Sequence, residues 1–211
     1  MSGTTGGGWR CPARCPPASN GGPDGSLCGM EDPAPQTDRL GRVALATAIV
    51  AVADMADAVI VWVVIFQQST VQRIFQSVAS GLLGPASFSG GWATAALGLA
   101  LHVCVALGWT LLFLFLLERW SRLRAWVQTS GGAIAVGLAY GAVVWLLMDS
   151  IVLPLSRARV TPPTAPWFWI QLLTHPVVVG LPIVWIVSGA AQRTWRKAAS
   201  RLHGPGPAAE I

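Results

Sequence analysis

The sequence predicts an all-α protein in which a bundle of four helices crosses a membrane and one amphipathic helix lies at the membrane surface between the first and second spans. Three observations favour this fold class. Hydrophobic residues account for 53% of the 211 residues and charged residues for only 11%, which is too apolar for an ordinary soluble domain. Four apolar stretches are long enough to cross about 30 Å of hydrocarbon. Most basic residues stand beside the ends of these stretches, as is typical of multi-pass membrane proteins.

Polar tails flank the predicted membrane domain, which covers residues 39–192. Residues 1–38 are rich in Gly and Pro and show no apolar periodicity, so we expect a disordered cytoplasmic tail. Three cysteines in this tail lack a fourth ligand for a tetrahedral metal site; they are Cys11, Cys15 and Cys28. Residues 193–211 form a second, basic tail that is also expected in the cytoplasm.

The first span, residues 43–66, contains two carboxylates. Asp54 and Asp57 are three residues apart, a spacing that places both on one face of a helix. A carboxylate at the centre of a membrane costs about 3 kcal/mol on insertion scales. Both side chains are therefore expected to face neighbouring helices rather than lipid, either neutral or paired.

Residues 71–83 have a different pattern. Apolar side chains recur at helical spacing, with polar side chains such as Gln76 and Ser80 opposite, which predicts an amphipathic helix in the membrane interface. This segment is too short to span the bilayer. It is interpreted as a surface connector or, alternatively, as a lid over a cavity.

The second span, residues 94–117, places His102 on a face that is rich in small residues. The third span, residues 132–153, contains Gly137 and Gly141 four residues apart, a spacing that lets neighbouring helices pack closely. Asp149 lies near the end of the third span.

The fourth span, residues 167–189, contains His175 inside an otherwise apolar run. Gln171 precedes it by one turn, on the same face. Three further residues are interpreted as packing or kink positions, because proline lacks a backbone N–H and glycine permits close approach; they are Pro176, Gly180 and Pro182.

These spans predict a polar centre inside the membrane, since ionisable groups at that depth need partners. Counting inward from the predicted outer ends of the spans places Asp57, His102 and His175 eight or nine residues deep, with Asp149 nearer the surface and Asp54 deeper. The residues of the predicted centre are Asp54, Asp57, His102, Asp149, Gln171 and His175.

The distribution of basic residues predicts the membrane topology and argues against a nucleic-acid partner. Nine basic residues flank one side of the four spans and three flank the other, which predicts that both termini are cytoplasmic. Thirteen of the 14 basic residues are Arg, a bias that suggests a GC-rich bacterial genome and hence a bacterial inner membrane. The net charge of +5 forms no basic patch interleaved with aromatic residues, so no nucleic-acid partner is expected.

Short motifs carry a resemblance to a known group. They are Gly81-Leu82-Leu83-Gly84, Leu97-Gly98-Leu99-x-Leu101-His102, Met148-Asp149, Val152-Leu153-Pro154-Leu155-Ser156, and His175 with Val179-Gly180-Leu181-Pro182-Ile183. On these motifs the chain resembles a group of uncharacterised bacterial four-helix inner-membrane proteins and is distantly similar to YagU-like membrane proteins, which are associated with acid resistance. That group usually has Asn at the position of Asp149, so the resemblance favours Asp57, His102 and His175 as the functional residues.

Three functions remain open on the sequence. A structural or assembly role, in which the polar centre fixes helix register, is slightly favoured. A small proton or ion channel or transporter is the first alternative. The second is a haem b or metal protein with His102, His175 and Asp57 as ligands, although no cofactor is predicted. An enzyme is not favoured, since no nucleotide-binding loop, nucleophile elbow or zinc motif is present. Expected partners are the lipid bilayer and a second copy or another membrane protein.

Overall fold

The computed structural model of the protein describes residues 36–158, 167–191 and 193–194, and all regular structure in these residues is helical. Four helices are long and apolar enough to cross a membrane, and they are Asp38–Ile65, Gly91–Arg119, Ser130–Leu155 and Phe168–Val187. Residues 1–35, which include the three cysteines, and residues 159–166, 192 and 195–211 lie outside the described residues.

Three of the four spans contain a π-helical segment. The first span is α1 (Gln36–Val59), which continues as a first π-helix (Ile60–Ile65). The second span is α3 (Gly91–Arg119), followed by the short α4 (Ser121–Trp126). The third is α5 (Ser130–Leu147) with a second π-helix (Met148–Val152) and α6 (Leu153–Leu155). The fourth is α7 (Trp167–His175), a third π-helix (Pro176–Gly180) and α8 (Leu181–Val187).

The two prolines of the fourth span explain its change of helix type. Pro176 opens the third π-helix, and Pro182 lies in the first turn of α8, positions at which the missing N–H is tolerated best. The Leu181 N–H donates to the Pro176 carbonyl five residues earlier, which is the π-helical pattern. The backbone of the fourth span therefore leaves α geometry directly after His175.

The segment between the first two spans is the helix α2 (Val71–Leu83), with the bounds that its apolar spacing predicts. Thr70 caps its start by accepting a hydrogen bond from the Arg73 N–H, and Gly84 ends it with a φ of 65°, a conformation that favours glycine. A 3-10 helix, Gly84–Ser89, leads on to α3.

Two polar residues of α2 are buried against the rest of the protein. Gln76 and Ser80 are buried, with Ala79 between them, and α2 packs against α3. The Gln76 side chain donates to the Gly91 carbonyl at 3.0 Å and to the Thr94 hydroxyl at 3.2 Å. The exposed residues of α2 are mixed, and they include apolar Val71, Leu82 and Leu83 as well as polar Arg73 and Ser77.

The basic ends of three spans meet. Arg39, near the start of α1, forms an ion pair of 3.0 Å with Glu118 at the end of α3. Arg42 donates to the Val187 carbonyl at the end of α8, at 3.4 Å. This contact satisfies a terminal carbonyl that has no partner within its helix, and it places a positive charge at the negative end of the helix dipole.

Arg193 makes a second contact of the same kind. Its guanidinium donates to the Ser188 carbonyl at 2.7 Å and to the Val127 carbonyl, just after α4, at 2.6 Å. The start of α1, the end of α3, the start of α5 and the end of α8 therefore lie together, and we call this the basic end of the helices.

The opposite end, which we call the distal end, has its own contacts. The Arg157 N–H donates to the Gly81 carbonyl of α2 at 2.9 Å. The Arg73 guanidinium lies over the Phe88 ring, 5.8 Å from its centre, within the range of a cation–π interaction. Successive spans thus run in alternating directions between the basic and the distal end.

The long helices pack through α1 against α3 and α8, and through α5 against α7, the third π-helix and α8. Tyr140 of α5 donates to the Trp109 carbonyl of α3 at 2.6 Å, and its ring lies 5.1 Å from that of the buried Phe113. These contacts leave the ionisable residues of α1, α3 and α7 facing one another.

Candidate functional site

Three ionisable side chains from three spans meet between the helices. Asp54 comes from α1, His102 from α3 and His175 from the end of α7. The two carboxylate oxygens of Asp54 face different rings, with Oδ2 at 3.8 Å from His102 Nε2 and Oδ1 at 3.7 Å from His175 Nε2. The three side chains are 26%, 11% and 18% exposed, in that order. We call these residues the polar cluster.

One direct hydrogen bond orients the polar cluster. His102 Nε2 lies 3.1 Å from the Ala51 carbonyl, one turn before Asp54 on the same helix. A carbonyl only accepts, so Nε2 carries the proton and the ring nitrogen Nδ1 is left as the acceptor when the ring is neutral. The two distances to Asp54 exceed those of a direct hydrogen bond, so they are ionic contacts or gaps that a water bridges.

Helix ends explain why Asp54, rather than Asp57, stands between the rings. Counted from the apolar stretches, Asp54 is deeper than His102. In the structure Asp54 lies eleven residues before Ile65, and His102 lies eleven residues after Gly91. At about 1.5 Å per residue the two side chains are at the same depth.

A close helix crossing carries His175 into the cluster. A Cβ atom added at Gly141 would lie 2.6 Å from the Pro176 Cα atom and 2.8 Å from the His175 carbonyl oxygen. A Cβ atom added at Gly180 would meet the backbone of Gly137 and Gly141 even more closely. The third π-helix is therefore packed directly on α5, and its position determines where the His175 ring points.

The remaining residues of the predicted centre lie around the cluster. The charges of Asp54 and Asp57 both act on His175. The Gln171 amide oxygen accepts from the Thr174 hydroxyl at 3.4 Å, within α7. Asp149 lies eight residues, about 12 Å, from Gly141 toward the distal end, and among the described residues no hydrogen bond or ion pair joins it to the cluster.

The polar cluster consists of one carboxylate and two imidazoles. Within the described part of the chain, no group of three or more His, Cys, Asp and Glu side chains is arranged to hold a metal ion. A carboxylate and an imidazole can each take up or release a proton, so adjacent groups of this kind can exchange protons.

Four apolar helices with an ionisable cluster between them support the class of multi-pass membrane proteins. Comparisons with models of protein families, with curated proteins and with solved structures find no match to the chain. The function is therefore argued from the site itself.

Proposed function

We propose that the chain is a small proton-conducting or proton-coupled transport protein of a membrane, in which the polar cluster binds and passes protons. The observation that carries this proposal is the placement of one carboxylate between two imidazoles from different spans, at 3.8 and 3.7 Å. Ionisable residues inside a membrane commonly mark such pathways, because their desolvation is too costly to persist without a function.

Charge balance explains why the cluster holds a proton. With both rings neutral and Asp54 ionised, the cluster carries one negative charge in a medium of low dielectric constant. One added proton cancels that charge, whether it resides on His102 or on His175. The two rings stand at nearly equal distances from the carboxylate, 3.8 and 3.7 Å, and with a water bridging each gap the proposed proton path runs from α3 to α7 through Asp54.

A structural role is the second candidate, and one contact favours it. The His102 hydrogen bond to the Ala51 carbonyl joins α3 to α1, and interhelical hydrogen bonds of this kind contribute on the order of 0.6 kcal/mol in membranes. Asp54 joins neither ring by a direct hydrogen bond, because both distances exceed the hydrogen-bond range. The His102 contact is therefore the hydrogen bond on which the structural candidate rests, and proton flux separates the two candidates.

The haem alternative fits the geometry less well. An iron porphyrin ligated by two histidines lies between their rings, and here the Asp54 carboxylate occupies that place. We expect detergent-purified protein to show no Soret band and no stoichiometric metal. A Soret band would establish the haem alternative instead.

The proposal includes an orientation in the membrane. We place the four spans as a bundle in a bacterial inner membrane, with the basic end and both tails in the cytoplasm and α2 in the opposite interface. The position of Arg39, Arg42 and Arg193 at one end of the helices supports it, where Arg39 pairs with Glu118 and the other two donate to backbone carbonyls.

The test uses the full chain in liposomes that contain a pH-sensitive dye. A potassium diffusion potential drives protons inward, and the initial rate is compared for the wild type, Asp54→Asn and Asp149→Asn. We expect Asp54→Asn to lower the rate by at least about tenfold, which corresponds to about 1.4 kcal/mol on the barrier. Asp149→Asn is the matched control, since it removes an intramembrane carboxylate outside the polar cluster and leaves the rate unchanged.

The structural candidate predicts a different pattern. If Asp54 only joins helices, Asp54→Asn lowers the resistance of the protein to unfolding while every liposome sample, the wild type included, remains impermeable to protons. Equal proton flux in the wild type and in Asp54→Asn would likewise refute the proposal.

A further inference from the structure

Two buried hydroxyl groups stand on the basic side of the polar cluster without a protein partner. Among the described residues, the side-chain oxygens of Thr47 and Ser188 accept and donate no hydrogen bond. Thr47 is 7% exposed and Ser188 is 9% exposed. A hydroxyl group that is buried in this way costs free energy unless it is hydrogen bonded, so such sites commonly hold an internal water.

The position of Thr47 relates it to the cluster. It precedes Asp54 by seven residues on α1, which places both side chains on the same face of the helix. The separation along the axis is roughly 10 Å. Ala51 lies between them on this face, and its carbonyl already accepts the His102 hydrogen bond.

Ser188 lies nearer to the basic end of the helices than the polar cluster does. It follows α8, which packs against α1, and its neighbour Val187 accepts from Arg42 of α1. The carbonyl of Ser188 itself accepts from Arg193. Thr47 therefore lies between the polar cluster and a hydroxyl group that adjoins two arginines.

We propose that Thr47 binds a buried water and that this water, continued through Ser188, connects the polar cluster to the basic end as its route of proton exchange. This inference rests on the proposed function, since it names the side from which the cluster is reached. Thr47 and Asp54 are separated by roughly 10 Å along the helix axis, so the proposed route requires further waters between them.

The chain offers a matched control for Thr47. Thr110 of α3 is fully buried and lies eight residues from His102 toward the basic end, a depth that matches Thr47. Its hydroxyl donates to the Ala106 carbonyl of its own helix at 2.8 Å, so it needs no water. A change from Thr to Val preserves the shape of the side chain and removes the hydroxyl at either position.

Proton flux and stability are measured together on the full chain in liposomes and in detergent. Thr47→Val is expected to slow the flux severalfold, Thr47→Ser to retain it, and Thr110→Val to leave it unchanged. A Thr47→Val protein that conducts at the wild-type rate overturns the route.

Stability distinguishes failure of the water site from failure of the proposed function. If the Thr47 hydroxyl binds water, Thr47→Val lowers the midpoint of unfolding, because a bonded water loses its partner. If the hydroxyl is dry, the same change raises the midpoint, because an unsatisfied polar group is removed. A wild type without flux refutes the proposed function, and the direction of this shift still decides whether the site holds water.

Discussion

Replacement of Gly141 by alanine tests the packing that positions His175. The added Cβ atom would stand 2.6 Å from the Pro176 Cα atom and 2.9 Å from the Gly180 nitrogen. Both are backbone atoms, so no flexible side chain can move aside. The two helices must separate by about 0.8 Å to reach an ordinary contact of about 3.4 Å.

The expected cost follows from two opposing effects. Forcing an extra methyl group into a packed contact destabilises a protein by about 1–3 kcal/mol, whereas exchanging Gly for Ala within a helix stabilises it by up to about 1 kcal/mol. Gly108→Ala is the control, because a Cβ atom there meets nothing within 4 Å and only the helix propensity changes. The difference between the two variants therefore isolates the packing cost at about 1–3 kcal/mol.

The assay is reversible unfolding of the detergent-solubilised protein by a denaturing detergent, followed by tryptophan fluorescence and circular dichroism. Gly141→Ala is expected to unfold at a lower denaturant fraction than Gly108→Ala. A displacement of the third π-helix by 0.8 Å, the movement derived from the same contact, also changes the distance between His175 and Asp54, so the proton flux should change together with the stability. Equal stability of the two variants would mean that α5 and the third π-helix do not cross as closely as the structure places them.

Two further predictions concern the polar cluster and the topology. Alanine at His102 and at His175 is expected to destabilise the protein, and the double variant should lose less than the sum of the two single losses, by about 0.5–3 kcal/mol, because both rings share Asp54; strict additivity would show that the rings do not interact. In a cysteine-free background, Ser200→Cys should react with a membrane-impermeant maleimide only after the membrane is opened, since the C-terminal tail is expected in the cytoplasm. Labelling of that cysteine in intact cells would show that the C-terminal tail lies outside the cell and that the predicted orientation is wrong.

The spans and α2 were predictable because a run of apolar residues and a 3.6-residue period are local properties of the sequence. The ends of the helices were harder to place. The apolar stretch of the second span suggests a start at residue 94, whereas α3 begins at Gly91, since backbone hydrogen bonding continues into the interface beyond the last apolar side chain. A shift of three residues moves an estimated depth by about 4.5 Å.

This uncertainty in the helix ends explains why the sequence alone could not show which residues of the predicted centre contact one another. All six residues of the predicted centre were visible as ionisable or polar groups in apolar runs, but their pairing depends on which helices are neighbours and on how far each extends. Asp54 stands between the two histidines, although depth counted from the sequence had favoured Asp57. The hydrogen bond between His102 and the Ala51 carbonyl could not be predicted from the sequence, because every residue has a backbone carbonyl and no side chain marks the one that accepts.

The third π-helix also has a meaning for mutations that change the length of the chain. A π turn holds one residue more than an α turn, and one residue of an α-helix corresponds to a rotation of about 100°. Because the π segment completes its rotation with one residue more, deleting Val177 and closing the fourth span into continuous α-helix would leave the His175 ring on nearly the same side relative to α8. A one-residue deletion inside α8 would instead rotate the residues before and after it by about 100° relative to each other. The third π-helix is thus the place where the fourth span can change its length by one residue while His175 keeps its direction, and a single-codon deletion there should be tolerated better than one in α8.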